Sequence, residues 1–130
     1  MILLDTHVVL WLLSDQALLS QSVADALRSE RHQGAGIAIS DITLWELAML
    51  KAKNKIEYPH PVQHLLERVE SNFVILPINR LIAEKSQMFS PRYPKDPADR
   101  ILGATAIVHG LPFVTKDRPI RASGEVDCLW

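Results

Sequence analysis

Ile2-Leu3-Leu4-Asp5-Thr6-His7-Val8-Val9-Leu10-Trp11-Leu12-Leu13 opens the chain with an apolar run that ends on a carboxylate and then resumes. Met1–Asp5 reads as a short buried strand. Thr6–Leu13 is apolar nearly all round, the pattern of a helix enclosed by its own protein. A strand passing directly into a covering helix is the building unit of sheets that carry helices on their faces. The rest of the chain repeats the alternation. Ser20 N-caps a helix to about Arg31, with Val23, Ala26 and Leu27 on one side. Gly36–Ser40 is a strand, and Ser40 or Asp41 caps a helix to about Lys53. A loop follows over Asn54–His60, then a helix with Pro61 in its first turn, running to Ser71. Phe73–Ile78 is a strand, Asn79 to about Phe89 a helix, and Ser90–Lys95 is irregular. Asp96-Pro97 opens a helix to His109 that Gly110 ends, and strands follow at Phe113–Thr115 and Val126–Leu129. Strands separated by helices imply parallel pairing in a sheet covered on both faces. The class is α/β, in one domain over residues 1–130.

In such sheets the ligand crevice lies beyond the carboxyl ends of the strands. Asp5 and Asp117 fall at that edge and Asp99 in the first turn of a helix that starts there, while Glu46, the fourth candidate acid, lies within a helix. Each has a plain alternative role. Asp5 is well placed to cap the helix after it. Asp117, before Pro119, suits a turn. Asp96 followed by Pro97 is a cap with proline at the first helical position, which accounts for Asp96 and leaves Asp99 only partly explained. Gly103, unfavourable inside a helix by about 1 kcal/mol relative to alanine, is expected to mark close approach of that helix to the sheet. Glu46 is the most telling. Its helical neighbours are Ile42, Thr43, Met49 and Leu50, so its carboxylate lies along the stripe that faces the protein. A buried lone carboxylate is unfavourable unless something compensates it. An ion pair or the edge of the stripe would be the plain answer, and a hard divalent cation the functional one, since carboxylates with water and phosphate oxygens complete the octahedron of Mg²⁺ or Mn²⁺.

Composition narrows the field. With 48% hydrophobic and 22% charged residues, the chain has an ordinary globular balance. Its longest apolar stretch, Val8–Leu13, is far too short to cross a bilayer, so no membrane association is expected. Met1 leads directly into Ile-Leu-Leu-Asp, so no signal peptide is expected. Cys128 is the only cysteine, which rules out an internal disulfide and suits a cytoplasmic location. A net charge of −1 excludes a global basic field, so any contact with nucleic acid has to be local. Arg92, Lys95, Arg100, Lys116, Arg118 and Arg121 gather in the C-terminal half near two of the four acids. Solvated surface charge is the better account of most of these six. Trp11 and Trp45 read as core or dimer-contact residues, Cys128 as a small buried hydrophobe, and His60 and His64 as surface or packing histidines.

Taken in order, Leu3-Leu4-Asp5-Thr6-His7, Leu44-Trp45-Glu46, Asp96-Pro97-Ala98-Asp99-Arg100-Ile101-Leu102 and Val114-Thr115-Lys116-Asp117 resemble the PIN-domain family, specifically the VapC-type toxins of bacterial toxin–antitoxin pairs. The resemblance spans nearly the whole chain. It implies a three-layer α/β/α sandwich around a mainly parallel sheet, and an endoribonuclease dependent on Mg²⁺ or Mn²⁺ that acts as the toxin of a type II system. It assigns Asp5, Glu46, Asp99 and Asp117 as the catalytic and metal-holding acids, with Thr115 as a supporting hydroxyl. It further implies a homodimer and a small cognate antitoxin that blocks the acidic pocket. Arg100, Lys116 and Arg118 are candidates for contact with the RNA substrate. Some relatives carry a histidine in the stretch that here reads Pro91-Arg92-Tyr93-Pro94-Lys95, and Arg92 or Lys95 is the available phosphate contact in its place. Two rival readings remain. One is a non-catalytic interaction module of the same fold. The other is a phosphotransferase or phosphatase with Asp5 as covalent nucleophile, a chemistry that usually has a second acid where this chain has His7.

Overall fold

A computed structural model describes residues 1–130. Five strands, β1 (Ile2–Leu4), β2 (Ile37–Ser40), β3 (Val74–Leu76), β4 (Phe113–Val114) and β5 (Cys128–Leu129), pair in parallel throughout, in the order β3-β2-β1-β4-β5. Between them run α1 (Thr6–Ser14), α2 (Gln21–Gln33), α3 (Asp41–Ala52), α4 (Val62–Asn72), α5 (Arg80–Ser86), α6 (Pro97–His109) and α7 (Arg118–Ser123).

Because successive side chains on a strand point to opposite faces, β1 feeds two cores. Ile2 and Leu4 join Ile37, Ile39 and Val114 beneath α1 to α4, where Val8, Val9, Leu12, Val23, Leu27, Leu47, Leu65 and Val69 close over them. Leu3 turns the other way with Ala38 and Phe113, onto Leu102 and Ala106 of α6 and Ile120 of α7. This is the three-layer α/β/α sandwich that the alternation and the resemblance imply. Chain order along the sheet reverses at β1, whose neighbours β2 and β4 lead away in opposite directions. Ligand crevices in open parallel sheets form at such a switch point.

Capping sets most helix starts. Ser20 accepts from Val23 N, Ser40 from Ile42 N, Asn79 from Ile82 N, and Asp96 from Ala98 N and Asp99 N. Gly34 and Gly110 close α2 and α6 with φ of 70° and 64°, the left-handed conformation that costs glycine nothing. Three expectations need correction. The helix after Asn79 ends at Ser86 rather than Phe89. The segment after Asp117 is not merely a turn, because Asp117 Oδ1 accepts from Ile120 N and starts α7. Gly103 does not face the sheet. A Cβ there would meet the ring of Tyr93 and the tip of Phe89, both from the segment between α5 and α6.

Candidate active site

Asp5 follows β1 and caps α1, with Oδ1 accepting from Thr6 N at 2.7 Å. Its other oxygen, Oδ2, accepts the Thr115 hydroxyl at 2.7 Å, and Thr115 Oγ1 in turn accepts from Asp117 N at 3.1 Å. Thr115 is fully buried just past β4, so one hydroxyl ties the two strand ends on either side of the switch point. Thr6 extends the chain of contacts the other way. Its hydroxyl donates to Glu46 Oε1 at 2.6 Å and lies 3.1 Å from Thr43 Oγ1. An unbroken run of hydrogen bonds thus leads from Glu46 on α3 through Thr6, Asp5 and Thr115 to the backbone of Asp117.

Asp99 approaches from the opposite side, in the first turn of α6, with no hydrogen-bonding partner for its carboxylate. Burial, then the charges of Asp5, Asp96, Asp117 and Glu46, push its carboxyl up to about 7. Asp5 is raised by burial as well, against the pull of its bonds to Thr115 and Thr6. Glu46 is raised for the same first reason, opposed by Thr6 and reinforced by Asp5 and Asp96. The four acids expected from the sequence therefore share one field at one edge of the sheet, and Asp96 adds to it while capping α6.

The donor set tests well for a hard cation and badly for a soft one. It is all oxygen, with excess negative charge and raised proton affinities that a divalent ion would relieve. No group of three or more acidic, histidine or cysteine side chains is arranged to close directly on an ion. Asp5 and Glu46 each also spend an oxygen on threonine, and Asp117 spends one on α7. Such a site suits an ion that keeps several waters and takes one or two protein carboxylates, the usual habit of Mg²⁺.

The cations are distributed unevenly. Lys116 is exposed and lines a cavity of about 340 Å³ with Asp5, His7, Val8, Trp11 and Asp117. Arg118, the first residue of α7, is exposed too. Arg100 is half-buried, and its Nε donates to Pro94 O at 3.1 Å, which pins the segment before α6. Arg92 and Lys95 are exposed on that segment. Trp45 is not a core residue, being 59% exposed. It borders an apolar groove with Ile42, Met49, Pro97, Ala98 and Ile101. Cys128 is half-buried, its thiol pushed up to about 11 chiefly by burial.

Thr6, Thr43 and Tyr93 are the participants that sequence reasoning overlooked. The signal for Thr43 was its place one turn before Glu46. For Thr6 it was a hydroxyl following an acid at the start of an otherwise apolar helix. Tyr93 is buried, donates to Asp99 O at 2.6 Å and holds the first turn of α6 from behind.

The PIN-domain family model matches residues 2–125. Ribonuclease VapC22 of Mycobacterium tuberculosis (strain ATCC 25618 / H37Rv) is 32% identical over 121 residues, covering 93% of this chain and 90% of the relative. Among solved structures, a toxin-antitoxin complex from Klebsiella pneumoniae aligns with 28% identity and a TM-score of 0.67, over 100% of this chain and 97% of that one. FitAcB from Neisseria gonorrhoeae aligns with 25% identity and a TM-score of 0.72, over the same shares.

Proposed function

This chain belongs to the PIN-domain family, and from that membership we propose that it is an endoribonuclease of VapC type, dependent on Mg²⁺ or Mn²⁺ and serving as the toxin of a toxin–antitoxin pair. The observation that carries the reading is the electrostatic field that Asp99 on α6 shares with Asp5, Glu46 and Asp117 from three other segments, near the switch point of a parallel sheet. The ribonuclease named among its relatives supports the reaction, and the toxin–antitoxin complex among its structural relatives supports an inhibitory protein partner.

One or two of Asp5, Glu46, Asp99 and Asp117 would hold the cation directly and the others through water, and the ion would supply a water of lowered pKa and neutralise charge on the phosphodiester. The chain's own contribution is positioning. Thr115 fixes Asp5 relative to β4 and Asp117, and Thr6 fixes Glu46 relative to Asp5. Lys116 and Arg118 supply local positive charge at the mouth of an acidic site, where an approaching polyanion would otherwise be repelled.

Incubation of assorted RNAs with the purified protein tests the proposal. Cleavage with Mg²⁺ or Mn²⁺ that stops on adding EDTA is the expected result. RNA left intact under every metal condition would reduce the chain to an interaction module, and a trapped aspartyl-phosphate on Asp5 would replace the nuclease with a phosphotransferase. A second expectation concerns Thr6→Val, which keeps the volume and removes the hydroxyl that orients Glu46. Residues that orient metal ligands typically account for 10–100-fold of metal affinity or activity. The variant should therefore need about tenfold more Mg²⁺ for half-maximal cleavage, and an unchanged Mg²⁺ titration would show that Thr6 serves only the core.

A further inference from the structure

Helix α1 leaves the acidic edge carrying two rings on one face. His7 and Trp11 are four residues apart, so they stand one above the other about 6 Å along the helix. Their ring centroids lie 6.2 Å apart at 49°. His7 is exposed and Trp11 half-buried, and both line the 340 Å³ cavity whose other walls include Asp5, Asp117 and Lys116. The Lys116 ammonium stands 5.8 Å from the Trp11 ring and 6.0 Å from that of Trp130. Those distances lie at the outer limit of a cation–π contact. They leave the cation near the rings without committing it. Trp130 packs edge-on against Trp11 at 5.6 Å and steadies it from behind.

Trp11 and Trp130 also pack against the core, but the exposed His7 and the ammonium of Lys116 have no part in it. An exposed histidine, a partly open indole and a loosely held ammonium, sharing one cavity with two acids of the proposed metal site, make up the chemistry of a single-stranded nucleic-acid subsite. Bases stack on aromatic rings, while a cation contacts the backbone. We propose that His7 and Trp11 form a stacking platform for the base of a nucleotide adjoining the scissile phosphate, and that Lys116 contacts that nucleotide's phosphate. The inference rests on the nuclease reading and deepens it, since it says where the nucleotide next to the scissile phosphate lies: along α1. The stacking faces select for an unpaired base rather than for a duplex, because a paired and stacked base offers no free face.

The test uses a short single-stranded RNA that the protein cleaves, remade with one abasic nucleotide at each position around the cut. Wild type should lose roughly 5- to 100-fold in kcat/KM when the abasic site falls at one flanking position, mainly through KM. His7→Ala, a change at an exposed residue, and Trp11→Leu, which keeps apolar bulk against the core, should both lower kcat/KM on the intact RNA. They should also shrink the abasic penalty toward onefold. A penalty that stays full in both variants overturns the platform while leaving the nuclease intact. Should wild type cleave no RNA, fluorescence anisotropy with a labelled single-stranded RNA oligonucleotide decides the platform separately from the chemistry. Affinity unchanged by His7→Ala and Trp11→Leu then rejects it and leaves the cavity to a protein partner.

Discussion

Asp99→Asn should abolish RNA cleavage and, in the same molecule, raise the melting temperature of the metal-free protein at neutral pH. The first effect follows from the proposed chemistry. A metal ion contributes several kcal/mol of charge stabilisation to phosphoryl chemistry, and at about 1.4 kcal/mol per decade the loss of one holding carboxylate is expected to lower kcat by about a thousandfold or more. The second follows from the position of the side chain. Asp99 has no hydrogen-bonding partner for its carboxylate, and burial with four neighbouring acids opposes its ionisation. Asparagine has nearly the same shape and no charge.

The sign of the pH dependence is fixed by linkage. The folded carboxyl titrates at about 7, against 3.8 for an unperturbed aspartate. Between those values the folded chain binds a proton that the unfolded chain has released. Stability therefore rises as pH falls through that window and is lower above it. Since the side chain is partly exposed, solvent screening holds the effect to about 1–2 kcal/mol, which is a few degrees in a domain of this size. Melting scans in EDTA at pH near 7.5 and near 5.5 should show wild type gaining stability on acidification and Asp99→Asn gaining much less. Added Mg²⁺ at the higher pH should stabilise wild type and leave the variant almost unmoved. Retained cleavage in Asp99→Asn, or a variant that melts below wild type at neutral pH, would count against the shared acidic field.

The architecture could be read from the sequence because local signals and hydrophobic period agree in most segments. Asp96-Pro97 at one end and Gly110 at the other bound α6 to the residue. β1 and the inward side of α1 were legible as an apolar run broken at Asp5-Thr6-His7, although α1 buries only Thr6, Val8, Val9 and Leu12 and is not enclosed all round. Helix α7 was hidden because its six residues are too few to show a period, and Pro119 argues as well for a turn as for a first helical turn. Asp5 and Asp117 were legible because carboxylates after strands are conspicuous, and Asp99 because the cap at Asp96 left it unexplained. The threonines between them were not, since a hydroxyl on a buried helix packs much as valine does until its partner is located in space. Glu46 shows the division well. Periodicity placed it toward the protein, but that its partner would be Thr6, on another helix and 40 residues away, depends on how α1 and α3 cross.

Gly103→Ala should destabilise the fold even though alanine is the better helix former. Propensity alone favours alanine by about 1 kcal/mol. Against this, a Cβ at position 103 would come within 2.8 Å of Tyr93 Cζ, closer still to the Tyr93 hydroxyl, and within 3.0 Å of Phe89 Cζ. The ring has nowhere to retreat. Tyr93 is buried, stacked on Phe89 at 3.9 Å and 13°, and its hydroxyl is bonded to Asp99 O at 2.6 Å. Forcing an extra methyl into such packing costs about 1–3 kcal/mol, and displacing the hydroxyl would leave a buried donor unmet for about 1–3 kcal/mol more. A net loss of about 1–5 kcal/mol is expected by chemical denaturation, and Gly103→Val should exceed that of Gly103→Ala. Because the same hydroxyl braces the carbonyl of Asp99, cleavage should fall beyond what the unfolded fraction explains. A double-mutant cycle isolates the contact. In a Tyr93→Leu background the ring is gone and only the tip of Phe89 still faces the new methyl, so the cost of Gly103→Ala should fall by most of its value. If Gly103→Ala instead stabilises the otherwise unaltered protein, the glycine is not what lets Tyr93 reach α6, and the bracing of Asp99 must come from elsewhere.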